Sequence, residues 1–205
     1  MKPNYLYFIL IFPIISFAQS VEIGAGAGGG ALYLLEDIDT NTDIDFSSAG
    51  TLYVDLKYNF ADRPDGIKLR YQSMSALVYG RTYLANQFID GKVEGQTFSL
   101  LYERLRSHQT INFGFNAGLG HTIETLNLVP RPGTYLREIN YATLSGAGIL
   151  SYQLNDALSL RAEMGFLWTD PINTFRGSEN WQTAGEDVSL LLQFGITYTI
   201  PFSDK

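Results

Sequence analysis

Read at every second position, residues 188–202 give Val188, Leu190, Leu192, Phe194, Ile196, Tyr198, Ile200 and Phe202, and the residues between are polar or small apart from Leu191. Side chains of a strand alternate between its two faces, so the pattern predicts a strand with one apolar and one mild face. It is long beside the usual five or six residues. It matches the length of about 9–11 residues, plus overhang, that a tilted strand needs to cross a bilayer.

The same period of two predicts seven more strands. Residues 21–35 place Val21, Ile23, Ala25, Ala27, Ala31, Tyr33 and Leu35 on one face and most glycines on the other. Residues 51–60 set Leu52, Val54, Leu56, Tyr58 and Phe60 against Tyr53, Asp55, Lys57 and Asn59. Residues 67–79 begin with Ile67, Leu69 and Tyr71 outward and Lys68, Arg70 and Gln72 inward, then blur over 73–76, where a bulge is expected. Strands over 96–105, 110–123, 138–154 and 157–168 complete the set, the last with Leu158, Leu160, Ala162, Met164, Phe166 and Trp168 on one face. The connections alternate in length: 36–50, 80–95, 124–137 and 169–187 are long, whereas 61–66, 106–109 and 155–156 are short.

Eight strands with alternating short and long connections predict an all-β, antiparallel up-and-down barrel with periplasmic turns and external loops. A soluble eight-stranded barrel such as a lipocalin would turn its apolar side chains inward. Here charges and glycines share one face and large aromatics the other, which suits a narrow interior and a lipid-facing exterior. The mean hydropathy of −0.01 agrees, because only alternate residues of such strands meet lipid.

Residues 1–18 read as a signal peptide: Lys2, an apolar core from Leu6 to Ile15, and Ser16-Phe17-Ala18 before a cut at Gln19. The barrel domain is then 19–205. Without Lys2 the mature chain has 13 basic and 21 acidic residues, so nucleic acid is not an expected partner. The absence of cysteine excludes disulfides, thiolate metal sites and thiol catalysis.

The first strand VEIGAGAGGGA, the hairpin LSGAGILSYQLNDALSLRAEMGF, the Phe-Ala-Gln end of the leader and the aromatic final strand resemble the porin-like outer-membrane β-barrel domain family. The likeness is architectural and covers nearly all of the mature chain; Ser203-Asp204-Lys205 after the terminal Phe202 depart from it. It implies a monomer in the outer membrane of a Gram-negative bacterium, surrounded by lipid and inserted by the barrel-assembly machinery. The family carries no catalytic motif to transfer.

Four acids, Glu22, Asp55, Glu103 and Glu163, fall on inward faces with four bases, Lys57, Lys68, Arg70 and Arg161. Buried charges are tolerated when paired, so this set reads as a plug of ion pairs, with a narrow ion path as the alternative. Tyr83 and Phe88 in one long loop, and Phe175, Arg176 and Trp181 in another, are residue types favoured at binding hot spots. They make the loops candidate sites for an extracellular ligand or protein. Asp37, Asp39 and Asp43 echo a calcium loop, but Thr42 and Ser48 replace its glycine and final acid. Gly24-x-Gly26-x-x-Gly29 lacks the helix of a dinucleotide site. No cofactor is expected. A lipid-modifying enzyme would need His121 or His108 beside a serine, and the His-x-Ser spacing of deacylase barrels is missing. A non-enzymatic envelope role is therefore expected.

Overall fold

A computed structural model describes residues 18–34, 42–60, 65–82, 87–106, 110–130, 135–169 and 187–202. The strands are β1 Ala18–Leu34, β2 Thr42–Phe46, β3 Ala49–Phe60, β4 Asp65–Thr82, β5 Gln87–Arg106, β6 Ile111–Pro130, β7 Tyr135–Gln153, β8 Leu158–Thr169 and β9 Asp187–Pro201. They form one antiparallel sheet in the order β2-β4-β3-β1-β9-β8-β7-β6-β5, closed by pairing of β4 with β5. β2 is an upward continuation of β3, since both pair with β4, at Val78–Thr82 and Gly66–Ser75 respectively. The barrel therefore has eight staves, one of them interrupted. At the break, the Ser47 N–H donates to the Leu77 carbonyl and Ser47 Oγ accepts from the Leu77 N–H, both at 2.9 Å, which keeps β4 bonded.

The registers fix the barrel's girth. From Gly24 the ladder through β3, β4, β5, β6 and β7 reaches Thr169 on β8, whereas through β9 it reaches Ser159. The stagger is ten residues. With eight staves this implies a tilt of about 40° and a backbone radius of about 8 Å, enough for one layer of side chains inside.

Outward side chains form an apolar belt. On β6 it runs through Ile111, Phe113, Phe115, Ala117 and Leu119, all exposed, and ends at His121. That stretch rises roughly 20 Å along the barrel axis, and its side chains bring it near the ~25 Å lipid-facing band of such barrels. Tyr71 and Phe98 meet with tilted rings, centres 5.0 Å apart, near the upper edge, and Tyr58 meets Phe60 edge-to-face at 5.9 Å near the lower.

Above the belt the polarity inverts. Past Tyr71, β4 turns Ser73 and Ser75 outward and Met74, Ala76 and Val78 inward. Past Phe98, β5 turns Gln96, Glu94 and Lys92 outward and Val93 inward. The expected bulge over 73–76 is not there: β4 runs without a slip against β3 and β5. What blurs is the polarity of the two faces, because the wall leaves lipid for water at that height.

Two expected loops are largely strand. β4 and β5 pair up to Thr82 and Gln87, and β6 and β7 up to Leu128 and Tyr135, so 80–95 and 124–137 are mostly ladder. The expected first loop contains β2. These stretches carry the polar surface of a wall standing in water, which in sequence imitates a loop. The turn at Asn155-Asp156 is as expected, with Asn155 Oδ1 accepting from the N–H groups of Ala157 and Leu158.

The lipid-facing assignment predicts a depth-dependent cost on a single strand. Leu69→Arg should lower unfolding free energy in vesicles by ~2–4 kcal/mol, and Ser75→Arg, above the belt, by about 0–1 kcal/mol. Equal costs in a urea titration would misplace the membrane boundary.

Candidate functional site

The eight inward charges lie in one cluster at the level of the belt. β3 and β4 bring Asp55 opposite Arg70 and Lys57 opposite Lys68, while β5 supplies Glu103 and β8 supplies Arg161 and Glu163. Arg70 donates from Nε and Nη2 to Asp55 Oδ1 and Oδ2 at 2.7 and 2.8 Å, a two-pronged pair, and reaches Glu163 Oε2 at 2.8 Å. Arg161 Nη1 contacts both Glu103 oxygens at 2.9 and 3.0 Å, and its Nη2 contacts Glu22 at 2.5 Å. Lys57 lies 2.9 Å from Glu103 and 3.4 Å from Glu22. Lys68 pairs with Glu103 and lies 3.2 Å from Asp55 and 3.5 Å from Glu163. Glu103, fully buried, thus meets three bases.

Neutral polar groups frame this tier. Asn59 Nδ2 donates to Glu22 and Ser20 on the periplasmic side, and Asn116 Nδ2 donates to Glu163 at 3.3 Å. Tyr53 lies across β1, its ring against Gly26 and its hydroxyl against Gly195, where a Cβ would collide with it. The Arg70 guanidinium sits 4.2 Å from the centre of that ring. Gln193 also crosses β1, over Gly28, to donate to Thr51 at 2.8 Å and Gln72 at 3.4 Å. The glycine face of β1 is therefore the bed on which cross-lumen side chains lie.

Above the glutamines, Ala49, Met74, Ala76, Val78, Val93, Leu167 and Leu191 pack as an apolar tier, joined by Leu32 and Phe46. Beside it, hydroxyls of Thr97, Thr122 and Thr143 connect β5, β6 and β7 at 2.8 and 2.5 Å. Sequence reading missed this tier. Its signal was present in Leu191, the one large apolar residue on the mild face of the last strand, and in Met74, between two serines.

The other candidates are not brought together. Tyr83, Phe175, Arg176, Trp181, Asp37, Asp39 and His108 lie outside the described residues, as does the leader up to Phe17. Phe88 belongs to β5, facing outward above the belt, with the Arg81 guanidinium 5.6 Å from its ring centre. Asp43 belongs to β2 and stands opposite Arg81 in the ladder. No group of three metal-ligating side chains occurs among the described residues. His121 faces outward at the upper belt edge, 3.2 Å from Asn140 Oδ1.

No family model matches the chain, and no curated protein matches its sequence. Solved structures share its fold. The outer membrane protein OprG from Pseudomonas aeruginosa aligns over 90% of this chain and 97% of its own, at 13% identity and a TM-score of 0.60. A major outer membrane protein from Thermus thermophilus aligns over 88% and 99%, at 15% identity and 0.58. The outer membrane protease OmpT from Escherichia coli aligns over 87% and 97%, at 11% identity and 0.53. One fold thus serves proteins of different roles, and the role here must come from this chain's own site.

Removing one member of the charge tier strands the others. Glu103→Ala should cost ~3–5 kcal/mol in denaturant unfolding, and Glu103→Met with Lys68→Met clearly less, because the double change removes one charge of each sign. Equal losses would mean that pairing is not what the tier supplies. With its closed eight-stave wall, outward apolar belt and paired interior charges, the chain has the fold of small outer-membrane β-barrels.

Proposed function

We propose that this protein is a non-catalytic envelope barrel whose closed wall acts as a scaffold for recognition above the membrane. The observation that carries the reading is the filled lumen. Charges at the level of the belt are paired and buried, and the apolar tier occupies the space above them. A solute path would need a hydrated lumen, and a radius of about 8 Å leaves room for one layer of side chains.

The extended strands supply the recognition surface. Beyond the polar positions Ser73, Ser75 and Glu94, the β2-β4-β5 wall again exposes apolar side chains, Leu77, Tyr79 and Phe88, flanked by Arg81, Asp90 and Lys92. Tyrosine and arginine on a rigid wall suit binding, and the expected extracellular partner would meet this face and the connections above it. Catalysis has less support: His121 points to the lipid edge, and its described partner is an asparagine amide.

Refolded mature protein in a planar bilayer should show no discrete conductance steps. Reproducible steps would overturn the scaffold reading and make the interior charges a selectivity lining. Outer-membrane lipids from cells expressing the protein should keep their acyl composition; a change abolished by His121→Ala would establish an enzyme instead.

A further inference from the structure

Between the two interior tiers lies a cavity of about 30 Å³, lined by Arg70, Gln72, Ser99, Asn116 and Gln193 together with Leu167 and Leu191 of the apolar tier. Its position is defined from both sides. Arg70 and Asn116 belong to the ion-pair tier or touch it, and the two leucines form the floor of the tier above. Gln72 is nine-tenths buried and its amide nitrogen has no hydrogen-bond partner, while its oxygen accepts from Gln193. Ser145 Oγ of β7, which also lines the cavity, is likewise unpartnered. A buried polar group without a partner costs free energy, and a space of this size with several polar groups holds one or two waters.

We propose that the lumen is closed twice, and that this cavity is an occluded chamber holding ordered water between two chemically different seals. The seal below is electrostatic: water and ions pass it only by separating Arg161 from Glu103 and Lys57 from Glu22 and Glu103. The seal above is built mainly of apolar side chains, with buried Glu124 of β6 on the wall beside it. Met74, Val93, Leu167 and Leu191 offer water nothing to bond to, and such a constriction excludes ions by staying dry. Loosening either seal alone therefore leaves the other closed. The proposal rests on the closed-lumen reading above and adds where, and by what, the lumen is closed.

The chain has no cysteine, so a single introduced thiol reports without background. Ser99→Cys places one in the chamber, to be probed with a charged, membrane-impermeant thiol reagent. The reagent is added to intact cells, or after the outer membrane is permeabilised to admit it to the periplasmic face. Ser99→Cys alone should stay unlabelled from both sides. Adding Leu191→Ala with Val93→Ala should give labelling on intact cells. Adding Arg161→Ala with Glu103→Ala, which removes one charge of each sign, should give labelling only after permeabilisation.

Labelling of Ser99→Cys alone would overturn the occluded chamber. Labelling of intact cells with only the ion pairs removed would overturn the apolar seal, as would no labelling of a folded protein with Leu191 and Val93 truncated. Resistance to unfolding by detergent at room temperature reports the fold, and Met74→Ala puts the same question to the upper seal if the double truncation does not fold. Conductance of the unmodified protein separates the two failures. Steps there sink the closed lumen itself, whereas silence with unexpected labelling sinks only the double seal.

Discussion

Hydrogen-bonded closure is the constraint on which the structure depends. In lipid a strand edge has no water to satisfy it, so the sheet must return to its own first edge. Here the last strand, β9, returns to the first, β1, with a stagger of ten residues over eight staves. That girth leaves an interior one side chain deep. Every inward position must then fit its neighbours across the lumen, and the glycines of β1 allow Tyr53 and Gln193 to lie flat across it. The charges are admitted on the same terms: each is held by opposite charges from neighbouring or facing staves.

The wall also serves two solvents. Within the belt, lipid takes the apolar face and the interior takes the polar one. Just above it, water meets Ser73, Ser75, Glu94 and Gln96, and Met74, Ala76 and Val93 turn in. β4 shows both regimes without a break in register, with Leu69 and Tyr71 outward below, Met74 and Val78 inward above. The upper barrel thus holds a small conventional hydrophobic cluster standing on an inside-out one, and the aromatic pair Tyr71–Phe98 lies near the level where one gives way to the other.

Much of this was legible in the residues. Period-two alternation located each stave, since lipid-facing strands tolerate few exceptions, and the facing rule placed Glu22, Asp55, Lys57, Lys68, Arg70, Glu103, Arg161 and Glu163 on inward faces. Strand ends were not legible. Above the belt the outward face becomes serine, glutamine and glutamate, so 80–95 and 124–137 carry loop composition while forming ladder. The apolar tier was hidden for the same reason: an inward Met74 or Val93 matters only once the change of solvent is known. The cross-lumen roles of Tyr53, Gln72 and Gln193 depend on side-chain reach across β1, which spacing along one strand does not encode.

The ion-pair tier bears on how the chain enters the membrane. Glu22 and Arg161 are 139 residues apart in sequence, and Glu103 and Arg161 are 58 apart. The cluster is complete only when the first stave, the middle staves and the eighth strand have met. An open sheet in lipid would leave Arg161 and Glu163 of β8 without their partners on β1, β4 and β5, a state costing several kcal/mol. The last of the interior charges are therefore neutralised only when the wall closes.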